Sequence, residues 1–295
     1  MSQPLNRRTF LSVASAPLIL PMRNVFADDA PKLELKFLVI TDTHLGYKGG
    51  DSAAKLWTKT AAELAKQEGA FVLHLGDVVD GGREEQYPIY LKTRESIGKP
   101  IHEIPGNHDP QPLFEKHIRP KVDTAFDHQW LRVILLNDAH TDSHDGFLTR
   151  EQLDWLGSQL TDARQAKKAV VIAMHVPAHD NKHPDRGWHV KPKDGQTEFY
   201  DLVAAKNSPV LALFHGHFHN GLRGWDDRKP IHEICFPSAL YNQDRKLEVQ
   251  KAAGYNPIEF RPGFTAITLR KDKLLLDYRV TGTTANVTRE CPLTS

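Results

Sequence analysis

The chain has 295 residues, of which 40% are hydrophobic and 25% are charged, a composition typical of a globular protein with a sizeable core. Three of its 38 Lys and Arg residues and none of its 37 Asp and Glu residues fall in the first 27 positions, so the remainder carries a formal charge of −2. This near-neutral balance argues against a surface that coats nucleic acid. No later apolar run reaches the roughly 18 residues of a membrane span, so we predict none in the mature chain.

The amino terminus resembles a twin-arginine export signal. Residues 6–11 read Asn-Arg-Arg-Thr-Phe-Leu, a mildly apolar run extends to residue 21, and Val25-Phe26-Ala27 offers a plausible cleavage site. The resemblance implies a signal peptide over residues 1–27, the twin-arginine machinery as a partner of the precursor, and a periplasmic or extracellular protein. A disordered basic tail, or an ordinary signal in which the arginine pair is coincidental, is the alternative.

The predicted elements after this signal alternate between strand and helix. Leu33 to Thr41 and Ala70 to Leu75 are predicted strands, and Asp51 to Gln67 between them is a predicted helix. Thr149 and Gln152 form a capping box that begins another helix. Further apolar runs predict strands at Pro100 to Ile104, Leu131 to Asn137, Ala169 to Met174, Val210 to Phe214, Ile231 to Phe236, Gly263 to Arg270 and Lys273 to Val280.

Alternating units followed by a strand-rich last third predict an α/β fold. We expect a four-layer α/β/β/α sandwich, in which two facing mixed sheets are flanked by helices, as a single domain over residues 33–282. Residues 283–295 are interpreted as a polar tail. Cys235 lies in an apolar run and is expected to be a buried thiol, whereas Cys291 lies in the tail, and whether the two pair is left open.

Five short polar strings occur in order along the chain, most of them directly after a predicted strand. Their carboxylate, amide and imidazole groups can bind Mn, Fe or Zn, and ligands at strand ends would cluster at one edge of the sheets. Each string alone is more often a turn or a structural histidine. The strings are Asp42-Thr43-His44, Gly76-Asp77, Gly106-Asn107-His108-Asp109, Met174-His175 and Gly216-His217-Phe218-His219.

Three of the strings suggest distinct tasks. Asp42 and His44 are two residues apart in an extended segment, so they project to one side and form half of a metal site. Asp77 follows a glycine at a strand tip, where its carboxylate can bridge two cations. His108 beside Asp109 suits a group that donates a proton.

The order of these strings resembles the calcineurin-like metallophosphoesterase superfamily, whose pattern is D-x-H, G-D-x-x, G-N-H-D/E, H and G-H-x-H. The match spans roughly residues 35 to 280. The resemblance implies two divalent or mixed-valence transition metal ions. One would be held by Asp42, His44, Asp77 and His219, and the other by Asp77, Asn107, His175 and His217. His108 would lie near the leaving group as a catalytic residue, with Asp109 as its orienting partner.

Two departures from the family pattern narrow the assignment. Purple acid phosphatases carry a tyrosine ligand three residues after the bridging aspartate, where this chain has Asp80. Many cyclic-nucleotide and glycerophosphodiester hydrolases have a second histidine after the fourth-string ligand, where this chain has Val176. Iron-tyrosinate chemistry is therefore not expected, and the cyclic-nucleotide assignment is weakened.

The favoured hypothesis is a metal-dependent hydrolase of small-molecule phosphate esters, with in-line attack by a metal-bridging hydroxide. A phosphodiesterase is preferred over a phosphomonoesterase. A non-catalytic scaffold on the same fold is disfavoured because all seven ligand positions are filled, and a nuclease because no basic patch with interleaved aromatics stands out. Loop residues that could meet a phosphate or a sugar are Arg83, His140, His144, His179, His183 and Arg186, and the loop Pro177 to Thr197 is expected to select the substrate.

Overall fold

The computed structural model describes residues 34–180, 187–224, 231–243 and 257–293. The predicted signal peptide, residues 1–27, and the loop residues His183 and Arg186 lie outside these ranges. Within the described ranges, no helix is both long enough and apolar enough to span a membrane.

The first sheet has six strands in the order β11, β10, β9, β1, β2, β3. The central strand β1 pairs in parallel with β2 and antiparallel with β9, and β2 pairs in parallel with β3. The sheet is therefore mixed, with its parallel half formed from the first part of the chain. The strands are β1 (Leu35–Ile40), β2 (Val72–His74), β3 (Ile101–Glu103), β9 (Gly263–Leu269), β10 (Lys273–Val280) and β11 (Asn286–Pro292).

The second sheet has five strands in chain order, from β4 to β8. Only the β4 and β5 pair is antiparallel, and the other neighbours are parallel. The strands are β4 (Thr124–His128), β5 (Leu131–Leu135), β6 (Ala169–Ala173), β7 (Val210–His215) and β8 (His232–Cys235).

In the described ranges, five α-helices cover the outer faces of the two sheets. Trp57 of α1 (Ser52–Lys66), Tyr90 of α2 (Gln86–Glu95) and Phe114 of α3 (Gln111–His117) pack against the first sheet. Leu156 of α4 (Arg150–Gln165) and Phe199 of α5 (Gln196–Val203) pack against the second. The predicted capping box is confirmed, because Thr149 Oγ1 accepts the N–H of Gln152 at 3.2 Å and Gln152 Oε1 accepts the N–H of Thr149 at 2.9 Å.

The largest apolar core lies between the two sheets. Side chains alternate along a strand, so Phe37 and Val39 of β1 enter this core while Leu38 faces the helices. Phe37 meets Phe214 of the opposite sheet, with ring centroids 6.3 Å apart. Helix, sheet, sheet and helix therefore stack in the predicted four layers, and the fold prediction is confirmed.

The interpretation of residues 283–295 as a polar tail is wrong. Residues 286–292 form β11, which pairs antiparallel with β10 along its whole length. The strand is an edge strand with mostly polar, exposed side chains, and for that reason its apolar pattern is weak. Cys291 is buried in the core between the sheets, and Cys235 is buried as predicted.

Candidate metal centre

The residues of the five strings converge at one edge of the two sheets. Strands β1, β2 and β3 run parallel in the first sheet, as do β6 and β7 in the second, so their carboxyl ends share an edge in each sheet. Asp42, Asp77 and Asn107 follow the first three strands, and His175 and His217 follow the other two. The parallel topology therefore turns residues distant in sequence into one site.

A first group of possible ligands consists of Asp42, His44, Asp77 and His219, all of them buried. His219 Nε2 lies 3.2 Å from Asp42 Oδ1 and 3.0 Å from His44 Nε2. His44 Nε2 also lies 3.3 Å from Asp77 Oδ2. Adjacent ligands on one ion are about 3 Å apart when each bond is about 2.1 Å long, so this spacing fits a cation among the four side chains.

A second group contains Asp77, His175 and His217, also buried. Asp77 Oδ2 lies 3.3 Å from His175 Nε2, which in turn lies 3.2 Å from His217 Nδ1. The side-chain oxygen of Asn107 is buried and makes no hydrogen bond within the described part of the chain. A buried amide oxygen without a partner is costly unless it binds a cation, so Asn107 is suited to complete this group, as predicted from the sequence. One oxygen of Asp77 belongs to both groups.

The backbone at the site is held in an unusual conformation. Five of the predicted ligands have a positive φ, between 42° and 75°, which non-glycine residues rarely adopt. They are Asp42, His44, Asp77, His217 and His219. Backbone hydrogen bonds between the loops after β1 and β2 hold this geometry. The N–H of Asp42 donates to Gly76 O and that of His44 donates to Asp77 O, each at 2.9 Å.

Two glycines allow the loops to approach one another. A Cβ on Gly106 would lie 2.2 Å from Asp77 Oδ1, and one on Gly76 would lie 2.5 Å from His175 Nδ1. Gly76 also has a φ of 94°. A side chain at either position would therefore displace a candidate ligand.

Hydrogen bonds fix which ring nitrogen of two histidines is free. Nδ1 of His175 donates to Leu75 O at 2.6 Å, and Nδ1 of His219 donates to Tyr241 O at 2.9 Å. A carbonyl can only accept, so in the neutral ring each Nε2 carries a lone pair that points into the site. These backbone carbonyls thus orient the two histidines so that each Nε2 is available to bind a metal ion.

The electrostatics of the site favour positive charge. Burial opposes protonation of His44, but the carboxylates of Asp77 and Asp42 outweigh it and raise its pKa to about 10. The pKa of His175 rises to about 9 in the same way, against its burial and chiefly through Asp77. Burial alone would raise the pKa of Asp77, but His175 and His44 hold it well below its usual range. Divalent cations can supply the same charge.

The structure corrects the predicted partner of His108. Nδ1 of His108 lies 3.3 Å from Asp80 Oδ1, and the same oxygen lies 3.3 Å from His44 Nδ1. The carboxylate of Asp109 instead accepts three backbone N–H groups at 2.9–3.0 Å, those of Val78, Val79 and Gly106. Asp109 therefore ties together the loops after β2 and β3, while Asp80 is positioned to orient His108. The sequence signal for Asp80 was its position three residues after Asp77.

The loop residues predicted to contact a phosphate or a sugar lie in different surroundings. The ring of His144 stacks on Trp188 beside Asn107. Arg83 donates to the backbone oxygen of Gly46, and His179 lies in a buried network with Glu233. Four of the loop residues predicted to contact a substrate fall within the described ranges, and of these His144 lies beside the predicted ligands. Trp188 was not anticipated, because no local pattern marks a loop tryptophan as part of a site.

Two groups of candidate ligands that share one carboxylate are the arrangement expected of a dinuclear metal hydrolase. Residues 35–221, more than half of the chain, match the Calcineurin-like phosphoesterase family, and the chain belongs to this family. It is accordingly a metal-dependent hydrolase of phosphate esters.

Individual relatives agree with this assignment, and a solved structure agrees with the fold. The chain is 29% identical over 216 residues to a 3',5'-cyclic adenosine monophosphate phosphodiesterase of Haemophilus influenzae, covering 67% of this chain and 74% of that protein. It is 30% identical over 156 residues to a glycerophosphodiester phosphodiesterase of Enterobacter lignolyticus, covering 49% of this chain and 54% of that protein. A dimetal phosphatase from Danio rerio shares the fold, with a TM-score of 0.63, 16% identity, and coverage of 86% of this chain and 98% of that one.

Proposed function

We propose that this protein is a phosphodiesterase of small-molecule substrates that works with two transition metal ions, drawn from Mn, Fe and Zn. The observation that supports the two-metal assignment best is the position of Asp77 Oδ2, which lies 3.3 Å from both His44 Nε2 and His175 Nε2. One ion would be held by Asp42, His44, Asp77 and His219, and the other by Asp77, Asn107, His175 and His217.

Two metal ions bound there would lower the pKa of a bound water molecule and stabilise the charge that develops on the phosphoryl oxygens. The chain's own residues supply the proton for the leaving group. His108 lines a cavity of about 310 Å³ together with Asn107, so it borders the space next to the second ligand group. Nδ1 of His108 accepts the N–H of Gly81 at 3.3 Å and also lies 3.3 Å from Asp80 Oδ1, so Nε2 is the nitrogen left to donate a proton to the departing oxygen.

The preference for diesters is supported by the relatives. Those described above are named as cyclic adenosine monophosphate and glycerophosphodiester phosphodiesterases. A further relative, from Rhodococcus erythropolis, is named a probable cyclic nucleotide phosphodiesterase. Val176 stands directly after His175, where the family pattern of many such enzymes has a second histidine.

The test is the ratio of kcat/KM on bis(4-nitrophenyl) phosphate to that on 4-nitrophenyl phosphate, measured with the Mn²⁺-loaded protein. We expect the diester to be preferred. A preference for the monoester would mark a phosphomonoesterase, and full metal occupancy without turnover of either would mark a non-catalytic scaffold. Lys55→Ala, at an exposed position of α1, is the control that should leave the ratio unchanged.

We also propose that the twin-arginine machinery exports the precursor to the periplasm or beyond. The support is the Arg7-Arg8 pair before Thr9-Phe10-Leu11 and the apolar run after it. Residues 1–27 fused to a fluorescent protein should direct it to the periplasm, and changing both Arg7 and Arg8 to Lys should abolish this export. Arg23→Lys is the matched control. Export of the double variant through the general secretory route would contradict the proposal.

A further inference from the structure

Two stacked aromatic rings stand beside the second ligand group, outside the set of predicted ligands. We propose that the rings of His144 and Trp188 bind a nucleobase of the substrate, so that the preferred diesters are nucleoside phosphodiesters. This inference rests on the proposed phosphodiesterase function and names its substrate class.

The pair extends from the candidate metal centre toward solvent. The centroids of the His144 and Trp188 rings are 4.2 Å apart, with an interplanar angle of 18°. The Trp188 ring lies 5.1 Å from that of His217, and His144 Nδ1 lies 3.5 Å from the side-chain nitrogen of Asn107. His144 is exposed and Trp188 is half-buried. A planar group bound against this pair would lie next to a phosphate held at Asn107 and His217.

Hydrogen bonds between the two loops hold the pair in place before any substrate arrives. Asp145 Oδ1, one residue after His144, accepts the N–H of His189 at 3.2 Å and a bond from Lys191 Nζ at 3.0 Å. The N–H of Gly146 donates to His189 O at 3.4 Å. The residues that flank the two rings are thus bonded to each other, so a ligand gains the stacking contact without ordering the loops.

The adjoining cavity suits an uncharged planar group. Its volume is about 310 Å³, within the usual range for a small-molecule site. Its walls carry no lysine, arginine or acidic side chain. They are formed by Gly81, Gly82, Asn107, His108, Pro110, Thr141 and His144. An aromatic base, which stacks through its π-face whatever its identity, matches such a wall better than a second charged group does.

The test compares two ligands that differ only in the base. Dissociation constants of adenosine 5'-monophosphate and ribose 5-phosphate are measured by calorimetry on the full Mn²⁺-loaded chain. In Trp188→Ala the preference for the nucleotide should fall about tenfold, because stacking on an aromatic side chain contributes about that much per base. Trp188→Phe should retain most of the preference. His144→Ala, at an exposed position with little risk to folding, should lower the preference as well.

Phe147→Ala is the matched control, because Phe147 is an exposed aromatic of the same loop whose ring packs on His140. It should leave the preference unchanged. Equal weakening of both ligands in Trp188→Ala, or an unchanged preference in both Trp188→Ala and His144→Ala, would overturn the proposal.

Activity separates this inference from the function on which it rests. The wild type should hydrolyse 3',5'-cyclic adenosine monophosphate with a higher kcat/KM than glycerophosphoglycerol, and Trp188→Ala should narrow that difference. If neither diester is hydrolysed but the nucleotide preference in binding still depends on Trp188, the diesterase function fails while the base-binding assignment stands. If both are hydrolysed with no role for Trp188 or His144, the reverse holds.

Discussion

The two sheets contribute different chemistry to the same centre. The first sheet carries every predicted oxygen ligand, from Asp42, Asp77 and Asn107, together with His44. The second sheet supplies only imidazoles, those of His175, His217 and His219. Each ligand group draws on both sheets, so neither is complete until the sheets pack face to face. The first sheet thus offers the negative charge that would attract cations, and the second offers nitrogens that would complete their coordination.

The largest effect is expected at Asp77, the one ligand common to both groups. Asp77→Asn removes the shared anionic oxygen, so both ions should bind weakly and kcat/KM should fall by more than roughly a thousandfold, given that metal ions contribute several kcal/mol. Metal content after dialysis, measured by mass spectrometry, checks the cause. Two tightly retained ions in this variant would contradict the bridging assignment.

His108 belongs to the first sheet without being a ligand, so it separates proton delivery from metal binding. His108→Ala should keep both ions and lose about a hundredfold or more in kcat on a diester with an alkyl leaving group. The loss should be smaller with a nitrophenolate leaving group, which needs little protonation. Equal losses on both substrates would exclude the proton-donating role.

Asp80 offers the graded control for His108. Asp80→Asn should reproduce part of the defect and move the alkaline limb of the pH profile to lower pH, because Asp80 Oδ1 lies 3.3 Å from His108 Nδ1 and its charge favours the protonated proton donor. The carboxylate of Asp109 accepts three backbone N–H groups. Asp109→Asn should therefore lower stability rather than act through His108.

The two histidines after β7 should affect different ions. His219 belongs to the first group and His217 to the second. His219→Gln and His217→Gln should each reduce the metal content from two ions to about one, with affinity lowered at least by the roughly 10- to 100-fold that loss of an outer partner costs. Loss of both ions in either variant would show that the groups do not bind independently.

A smaller effect, on stability, is expected at Glu233 of β8. Its carboxylate accepts the N–H groups of Ala178 and His179 and lies 3.0 Å from His215 Nε2, so it supports the loop after His175. Burial alone would raise the pKa of Glu233, but the hydrogen bonds from His179 and His215 hold it well below its usual range. A lowered folded-state pKa means that the ionised carboxylate stabilises the fold above the unfolded pKa of about 4.3 and loses this effect at lower pH.

Glu233→Gln should therefore lower the free energy of unfolding by about 3 kcal/mol at pH 7, as expected when a buried charged partner is removed. The difference from wild type should shrink as the pH falls below about 4, which denaturant titrations at several pH values would show. Glu290→Gln, at an exposed ion pair with Lys273, is the control and should change stability by less than about 0.5 kcal/mol. A difference that grows at low pH would contradict the sign.

The sequence predicted the strands and strand-end residues that depend on patterns within a short segment of the chain. The strand Lys273 to Val280 has the bounds of β10, and the strings place their residues at strand ends because each directly follows an apolar run. Helix α2 was not predicted, since its buried face consists of Gln86, Tyr87 and Tyr90 rather than an aliphatic stripe.

The remaining differences come from contacts between distant segments. Asp80 was seen as a departure from a tyrosine ligand, and its place beside His108 depends on how the loops after β2 and β3 pack. The stacking of His144 on Trp188 joins loops that follow different strands. Neither contact leaves a periodic or local signal in the sequence, so both had to await the structure.

The most direct test of the account is a crystal structure of the Mn²⁺-loaded protein with anomalous diffraction at the manganese edge. Two peaks should appear on either side of the Asp77 carboxylate, one contacting His44 and His219 and the other contacting Asn107, His175 and His217. A single peak, or peaks away from Asp77, would contradict the central claim that the two sheets together form a dinuclear metal centre.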